Sequence, residues 1–242
     1  NKMLSRLDDA FTAQKQFSAS AAHELRTPLA VMQTNLEVFA RKKTPTIEEY
    51  QDIFGMIQNQ TERLSHLSEV LLDMTGIQSV ERSDFISLAE LTDEVCCDLA
   101  SIADQKKVEL IQEEGDCTVT GSYLLLYRAV YNLVENAIKY NHSGGKVTVK
   151  ISQTKALPAA HSKPTDYALV EVTDTGIGIS PEFQEKIFDP FFRVDKSRSR
   201  AMGGAGLGLA LVNEIARQHG GQVKVLASSE QGSTIALVLP LS

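Results

Sequence analysis

The apolar residues of the first third of the chain recur at helical spacing. Leu25, Leu29, Met32, Leu36 and Phe39 are separated alternately by four and three residues. A second run keeps this alternation through Tyr50, Ile53, Ile57, Gln60, Leu64, Leu67, Leu71 and Met74. Such spacing places the apolar side chains on one narrow stripe of a helix. The pattern therefore predicts two long helices between Leu4 and about Ile77.

The segment ARKKTPTIEEY, residues 40–50, separates the two predicted helices. Pro45 marks the break, and Thr46 and Glu49 have the spacing of a capping box at the start of the second helix. Two long helices joined by a short turn form an antiparallel hairpin. One hairpin cannot bury two apolar stripes well, so we expect a second copy to complete a dimeric four-helix bundle. The apolar stripes alone favour a simpler interpretation, a coiled-coil dimeriser.

The chain changes its pattern after residue 79. Residues 88–107, 122–141 and 207–220 have helical spacing, and six segments alternate like strands: VELIQ, CTVTG, KVTVKISQ, YALVEVTD, QVKVLAS and STIALVLPL. TKALPAAHSKPT, residues 154–165, is a predicted polar loop between two of these strands. The mixed order favours an α+β domain whose mixed or antiparallel sheet is covered on one face by helices. We expect a multi-domain chain with its boundary between Ser79 and Asp84.

Composition narrows the classes of function. The chain has 242 residues, 43% of them hydrophobic and 23% charged, which is typical of soluble globular domains. A net charge of −7 argues against binding to nucleic acid or to an anionic membrane. Cys96, Cys97 and Cys117 lack metal-ligand spacing and indicate a reducing compartment. No apolar run approaches the roughly 18 residues of a membrane span. We expect a fragment of a longer protein, with any membrane segment upstream.

Three short segments carry candidate chemistry. DTGIGI, residues 174–179, follows a strand and places two glycines where backbone turns sharply or approaches a ligand. GGAGLGL, residues 203–209, precedes an apolar helix whose first N–H groups attract phosphate. NLVENAIKYN places Asn132 and Asn136 on one helix face, where amide oxygens can bind magnesium, with Lys139 beside them. Taken singly, each segment is more often an ordinary turn or a solvated helix face.

GGKV, residues 144–147, looks like the end of a phosphate-binding P-loop. No glycine stands at the required upstream spacing, and Val147 replaces the Ser or Thr of that motif. We therefore exclude a P-loop here.

Five motifs occur in a set order: HELRTPL, ENAIKYN, DTGIGI, FDPFFRVD and GGAGLGL. The last four resemble the N, G1, F and G2 boxes of the nucleotide-binding domain shared by sensor histidine kinases, gyrase-type ATPases, mismatch-repair ATPases and heat-shock chaperones. The first resembles the H box of the histidine kinases. The resemblance covers nearly the whole chain. It implies a dimerisation and histidine-phosphotransfer domain at residues 1–80, then a catalytic ATP-binding domain of the Bergerat (GHKL) α+β sandwich fold at residues 84–242.

His23 lies about 200° around the helix from Leu25 and therefore points away from the apolar stripe. Because the unperturbed pKa of histidine is about 6.5, most of it is neutral at pH 7 and has a ring nitrogen free to attack. The resemblance implies that Glu24 accepts the released proton and that Thr27 helps to position water for dephosphorylating a partner. Pro28 removes a helix hydrogen bond and predicts a kink just beyond this site.

The resemblance also implies an ATP–Mg²⁺ site in the second domain. Asp174 would accept a hydrogen bond from the adenine amino group, with Thr234 assisting, and Asn136 would bind Mg²⁺. Arg193 would neutralise charge on the transferring phosphate. The other implied contacts line the phosphate and ribose side or belong to the glycine boxes: Asn132, Lys139, Tyr140, Gly176, Gly178, Ile179, Gly204, Ala205, Gly206, Leu207 and Gly208. The run DKSRSRAMGG, residues 195–204, has the composition of a mobile lid.

Two positions depart from the family pattern. Ala205 stands where many members carry Ser or Thr, so a hydroxyl contact to nucleotide or lid is absent. The ATPase relatives carry a glutamate four residues before the metal-binding asparagine, whereas this chain has Asn132, which cannot act as a base. Glu135 is acidic but points about 100° away from Asn136. The chain therefore looks suited to transferring phosphate and not to hydrolysing ATP.

These features predict the core of a homodimeric sensor histidine kinase. ATP phosphorylates His23, and the phosphoryl group then passes to an aspartate of a response-regulator receiver that docks on the hairpin face around His23. Phosphatase activity toward that regulator is a further expectation. We expect the cytoplasmic portion of a membrane sensor, with membrane contact only through a missing upstream segment and no nucleic-acid partner. Two alternatives stay open: a dimeric scaffold or phosphatase that binds ATP but makes little phosphohistidine, and a hydrolysing ATPase of the same fold.

Overall fold

The computed structural model describes residues 2–155, 166–194 and 205–241. The chain divides into two compact units, residues 1–73 and 74–242. Most of the predicted polar loop, from residue 156 to 165, lies outside the described residues. The predicted lid, residues 195–204, also lies outside them and includes Gly204.

The first unit is a helical hairpin, as predicted. Helix α1 spans Lys2–Ala40 and helix α2 spans Ile47–Gly76, whose last three residues belong to the second unit. Phe39 packs edge-on against Tyr50 near the turn, with ring centroids 5.0 Å apart. Glu24 pairs with Arg63 farther along, so the two helices run antiparallel. Helix α1 continues through Pro28, and the kink at this residue stays a prediction.

The capping box at the start of α2 is confirmed. The N–H of Glu49 donates to Oγ1 of Thr46 over 3.3 Å, and the N–H of Thr46 donates to Oε2 of Glu49 over 3.1 Å. These reciprocal bonds satisfy backbone donors that the first helical turn leaves without partners. The exposed ammonium of Lys42 also pairs with Glu49, at 2.5 Å.

One hairpin covers only part of its apolar stripes. Leu25, Met32 and Phe39 are half-buried, whereas Leu29 and Leu36 are 52% and 44% exposed. Phe54 and Ile47 on α2 are also largely exposed. The single chain therefore leaves apolar surface on both helices.

The second unit is an α+β domain with a mixed sheet, as predicted. Its elements are β1 Asp84–Ser87, α3 Leu88–Lys106, β2 Glu109–Gln112, β3 Thr118–Gly121, α4 Tyr123–Lys139, β4 Lys146–Lys155, β5 Asp166–Asp174, α5 Gly208–Gln218, β6 Gln222–Ser229 and β7 Gly232–Pro240. The five-stranded sheet has the order β2-β4-β5-β7-β6. Only its β2–β4 pair is parallel. Strand β1, which was not predicted, pairs with β3 in a separate two-stranded sheet.

Helices α3, α4 and α5 pack in one layer against the sheet. Alternate residues of β5 and their partners on β7 form the helix-facing core, including Ala168, Val170, Val172, Leu237 and Leu239. The intervening residues form a smaller cluster on the other face, with Leu169, Ala236 and Val238 packed beside Tyr167. Asp174, at the end of β5, continues the helix-facing row.

A row of tyrosines on α4 bonds to acids of α3. The hydroxyl of Tyr123 donates to Glu94, and that of Tyr127 donates to Asp98. The bond to Glu94 is the main reason that the pKa of Tyr123 rises to about 12. The Tyr127 and Tyr131 rings lie 6.0 Å apart. These contacts hold α3 against the exposed side of α4, the helix that carries Asn132 and Asn136.

The short turn after α2 belongs to the second unit. Residues Ile77–Ser79 form a 3₁₀ turn that packs against α5, and Ile77 is fully buried. A guanidinium nitrogen of Arg82 donates to the carbonyl of Ile77 over 3.1 Å. At the far end of α5, Nε2 of His219 accepts the N–H of Ser122 over 3.0 Å.

Within the described ranges, no helix is both long and apolar enough to cross a membrane. The same residues contain no group of three or more His, Cys, Asp and Glu side chains that could bind a metal ion. The predicted magnesium ligand, Asn136, is an asparagine and therefore does not belong to the four residue types that such groups contain.

Candidate functional site

The imidazole of His23 is exposed on α1, as its position relative to Leu25 predicts. It lies at one end of a groove of about 440 Å³ whose lining residues all come from α1: His23, Arg26, Thr27, Ala30, Val31, Thr34 and Asn35. Thr27 is one turn beyond His23, and its hydroxyl donates to the His23 carbonyl over 3.1 Å. The histidine is therefore accessible, with the predicted threonine next to it.

Glu24 faces the inside of the hairpin. Its Oε2 is 3.4 Å from Nη2 of Arg63 on α2, and the two side chains are only 16% and 13% exposed. Both side chains are thus largely shielded from solvent, although His23 next to Glu24 is exposed. A guanidinium in this position holds the Glu24 carboxylate at a defined place on the hairpin.

Asp174 is held at the end of β5 with its carboxylate on the helix-facing side of the sheet. Its Oδ1 accepts the N–H of Gly176 over 2.8 Å, and the backbone N–H of Ser233 also donates to the carboxylate. Burial raises the pKa of Asp174 above its usual value, and the two N–H donors oppose that rise. Burial removes water from the ionised carboxylate, and a hydrogen-bond donor on a ligand can take the place of that water.

The structure does not bring Thr234 together with the Asp174 carboxylate. Thr234 pairs with Thr173, and their hydroxyl oxygens are 3.0 Å apart on the opposite face of the sheet. Ser233 pairs with Asp174 and therefore lies on its face. The geometry favours Ser233 for the assisting role that the sequence assigned to Thr234, a role that stays a prediction.

The G1 residues fit against neighbouring backbone. A Cβ on Gly176 would lie 2.5 Å from the Tyr140 carbonyl oxygen, and one on Gly178 would lie 1.7 Å from the Ser229 carbonyl oxygen. Gly178 also has a φ of +68°, which a residue with a side chain rarely adopts. The N–H of Ile179 donates to Oγ of Ser228 over 2.7 Å. The segment thus packs against the residue that follows α4 on one side and against the end of β6 on the other.

Asn132, Asn136 and Gly208 come together where α4 meets the start of α5. A Cβ on Gly208 would lie 2.6 Å from Oδ1 of Asn132 and 3.6 Å from Nδ2 of Asn136. Nδ2 of Asn136 donates to the Asn132 carbonyl over 2.8 Å, so its Oδ1 is the amide atom suited to a cation. Leu207, at the N-cap of α5, offers no side-chain cap to the first N–H groups. N–H groups at a helix start suit phosphate oxygens.

The other predicted residues surround this junction. Lys139 and Tyr140 are half-buried at the end of α4, and the ammonium of Lys106 donates to the Lys139 carbonyl. The F and G2 boxes meet through the N–H of Phe191, which donates to the Gly206 carbonyl over 2.8 Å. A Cβ on Gly206 would lie 3.1 Å from Cγ of Arg193. Two further members of the G2 box have described positions, Ala205 half-buried and Leu207 fully buried.

Sequence reasoning missed several residues of this site. Ser228 and Ser233 have hydroxyl oxygens 3.1 Å apart beside the G1 segment. Asn141 and Thr175 bond to each other over 3.2 Å behind it. Asn141 ends the ENAIKYN motif and Thr175 lies in DTGIGI, so the motifs themselves could have identified these two residues. Ser233 could have been found by asking which hydroxyl shares the face of Asp174.

A mixed sheet under helices, with a strand-end carboxylate, paired asparagines and a glycine-rich helix start, defines an ATP-binding class of domain. Residues 121–242 match the family described as histidine kinase-, DNA gyrase B-, and HSP90-like ATPase. Residues 13–79 match the His Kinase A (phospho-acceptor) domain. The chain belongs to this ATPase family and, with the phospho-acceptor segment ahead of it, is a sensor histidine kinase core.

Curated relatives agree with this membership. The sensor histidine kinase RppB of Synechocystis sp. is 32% identical over 237 residues, covering 96% of this chain and 50% of RppB. The sensor histidine kinase CusS of Escherichia coli is 32% identical over 246 residues, covering 99% of this chain and 48% of CusS. The chain thus spans about half the length of the curated relatives it matches.

One solved structure, the histidine kinase ThkA in complex with the response regulator TrrA, has a TM-score of 0.71 to this chain. The matched chain of that structure is 22% identical in sequence, and the match covers 97% of this chain and 64% of the matched chain. At this identity the likeness concerns the fold, and it confirms the predicted fold class.

Proposed function

We propose that this chain transfers the γ-phosphoryl group of ATP to His23 and then passes it to an aspartate of a response-regulator receiver. The observation that carries the proposal is the exposed imidazole of His23 on a chain that also contains the family's ATP-binding domain. Neither feature alone would suffice, because an exposed histidine is common and related domains hydrolyse ATP.

In the first step a ring nitrogen of neutral His23 attacks the γ-phosphorus. The nitrogen–phosphorus bond forms as the bond to the β–γ bridging oxygen breaks, and ADP leaves. The imidazole loses its remaining ring proton, which Glu24 accepts as a carboxylate. The place of Glu24 next to His23 in the chain supports this role, and the contact with Arg63 fixes where its carboxylate lies.

In the nucleotide site, Asp174 receives the adenine amino group and the start of α5 receives the phosphates. The N–H donors that fix the Asp174 carboxylate support the first role. The close approach of Gly208 to the two asparagines supports the second, because phosphate then meets both α4 and α5. Lys139, Tyr140 and Arg193 supply positive charge and contacts along the phosphate and ribose side.

Asn136 is the proposed Mg²⁺ ligand. Its amide nitrogen is engaged by the Asn132 carbonyl, which leaves an oxygen of the type that Mg²⁺ prefers. One amide oxygen fits a cation held mainly by nucleotide phosphates and water. When bound, the ion would neutralise charge on those phosphates. Asn132 cannot activate water as a carboxylate would, which supports transfer over hydrolysis.

The active form is proposed to be a homodimer. The exposed apolar side chains of both hairpin helices, with Leu29 at 52% and Leu36 at 44%, support burial against a second copy. The domain limits are proposed as residues 1–80 for dimerisation and phosphotransfer and 84–242 for ATP binding. The matched segments at 13–79 and 121–242 support this division.

The groove beside His23 is the proposed docking surface of the receiver, and Thr27 within it supports a further phosphatase activity. ThkA was crystallised with a response regulator, which supports a partner of this kind. We further propose the cytoplasmic portion of a membrane sensor. Relatives of about twice this length that are named sensor kinases support that assignment.

The proposal is tested by incubating the purified chain with γ-labelled ATP and Mg²⁺. We expect label that is stable to base, labile to acid and absent from His23→Gln. Arg26→Gln, in the same groove and one residue beyond Leu25, is a matched control for a surface change on α1.

Other outcomes separate the alternatives. ATP binding without label would favour a regulatory scaffold. Sustained phosphate release that survives His23→Gln would favour a hydrolysing ATPase. Label that survives acid would contradict a phosphohistidine.

A further inference from the structure

The GGKV segment covers the end of the turn between α4 and β4 and the first two residues of β4, beside the proposed nucleotide site. This turn brings Asn141, which follows α4, against Thr175, which stands between Asp174 and Gly176. We infer that Asn141 and Thr175 are positioning residues that fix the distance between the adenine end and the phosphate end of the ATP site. This inference rests on the proposed function, because it assigns how that site is held in shape.

A cluster of hydrogen bonds joins three chain segments at this point. Oδ1 of Asn141 accepts from Oγ1 of Thr175 over 3.2 Å and from the N–H of His142 over 3.0 Å. Nδ2 of Asn141 donates to the Lys146 carbonyl over 3.0 Å. The N–H of Lys146 donates to Oγ1 of Thr175 over 2.8 Å, and the N–H of Thr175 returns to the Lys146 carbonyl over 3.1 Å. The end of α4, the start of β4 and the end of β5 are thereby connected.

Gly145 shows how closely these side chains are packed. A Cβ at this position would lie 2.1 Å from Oδ1 of Asn141 and 2.9 Å from Oγ1 of Thr175. Such contacts are far inside van der Waals distance, so a side chain here would displace both partners. The second glycine of GGKV therefore has a definite role although the segment binds no phosphate as a P-loop does.

The connected segments carry the opposite ends of the proposed site. Asn136, proposed for the phosphates and cation, lies on α4, five residues before Asn141. Asp174, for adenine, directly precedes Thr175. The N–H of Ile177 also reaches the Tyr140 carbonyl over 3.4 Å. A ligand that touches both ends gains affinity only when their spacing matches its length, whereas a ligand that touches one end does not depend on this spacing.

The test compares a long and a short ligand on the full chain. Binding of a non-hydrolysable ATP analogue with Mg²⁺ is measured by calorimetry, and binding of adenosine by saturation-transfer NMR. The variants are Asn141→Ala, Thr175→Val and their double mutant. Ser143→Ala, an exposed change in the same turn, is the matched control.

We expect each single variant to weaken the analogue about tenfold, the effect of losing one or two hydrogen bonds. The affinity for adenosine should fall by less than about twofold. The double variant should be no weaker than the poorer single variant, because both changes break one connection. The control should bind both ligands as the unmodified chain does.

Gly145→Ala gives an independent test. It should weaken the analogue by a similar factor in the unmodified chain, because the methyl group displaces Asn141. Added to Asn141→Ala it should cost less affinity than in the unmodified chain, since the 2.1 Å contact with Asn141 is gone and only the 2.9 Å contact with Thr175 is left.

Equal weakening of adenosine and analogue would overturn the inference, because the residues would then only shape the adenine pocket. Unchanged affinity for both ligands would overturn it too. Failure of the unmodified chain to bind the analogue would remove the ATP site itself, and with it this inference. These three results are distinguishable in one set of titrations.

Discussion

The ion pair between Glu24 and Arg63 links the proposed phosphoacceptor step to the second helix of the hairpin. Both side chains are mostly buried although His23 beside them is exposed. The contact joins one carboxylate oxygen to one guanidinium nitrogen, so it does not need the two-pronged geometry of arginine. A lysine at position 63 could therefore make a similar ion pair with Glu24.

We predict that Arg63→Met slows labelling of His23 by about fivefold, because Glu24 loses the cation that orients its carboxylate. Arg63→Lys should retain most of the rate. Initial rates at saturating ATP provide the measurement. A rate for Arg63→Met equal to or above that of the unmodified chain would contradict a positioning role.

Asp174 illustrates a residue whose function opposes stability. Burial raises the pKa of Asp174, so its ionised form costs free energy of folding at neutral pH. For an acid with a raised pKa the cost is complete above the folded-state pKa. It disappears as pH falls below the unfolded-state value of about 3.8.

We predict that Asp174→Asn raises the melting temperature at pH 7 while abolishing ATP binding. An asparagine oxygen still accepts the N–H of Gly176, and no charge has to be buried. Scanning calorimetry and nucleotide titration measure the two effects. Glu171→Gln, on the opposite face of β5, is the control for a charge change on that strand. A lower melting temperature for Asp174→Asn would show that the charge stabilises the fold.

At the scale of elements, the capping box gives the hairpin a defined second helix. Thr46→Ala removes one of its two reciprocal bonds, and we predict a loss of about 1 kcal/mol in the free energy of unfolding. Thr44→Ala, two residues earlier and exposed, should change little. Denaturant unfolding followed by helical circular dichroism measures the difference. Equal losses in the two variants would argue against the cap.

Elements determined by local spacing were predictable from the sequence. The capping residues stand three apart, and both hairpin helices follow from their apolar stripes. Strand β1 was missed because it has four residues and depends on pairing with β3, more than thirty residues later. Ser233 was missed for a related reason. Choosing between adjacent hydroxyl residues requires the β5–β7 register, which nothing local specifies.

At the scale of the whole molecule, the second compact unit spans residues 74–242 and therefore includes the turn that precedes the proposed ATP-binding domain at 84–242. Ile77 is fully buried against α5 within residues 74–242, and Arg82 bonds to its carbonyl. A fragment that starts at 84 loses both residues. The catalytic unit is therefore expected to need its preceding turn.

We predict that fragment 84–242 is less stable than fragment 74–242 by about 2 kcal/mol, the value of burying one isoleucine side chain. Urea unfolding of the two fragments provides the measurement. In the full chain, Ile77→Ala should destabilise the second unit comparably, whereas Val80→Ala, at a half-buried position, should cost less. Equal stability of the two fragments would support the later boundary.

The tyrosine row on α4 has an optical consequence. The chain has no tryptophan, so its ultraviolet emission comes from six tyrosines, three of which stand at 123, 127 and 131 on this helix. Phenol groups that donate to carboxylates, as Tyr123 and Tyr127 do, emit weakly because the excited ring gives up its proton easily. Separation of α3 from α4 should therefore brighten the intrinsic fluorescence, and the helix that carries the asparagines would report its own displacement without an added dye.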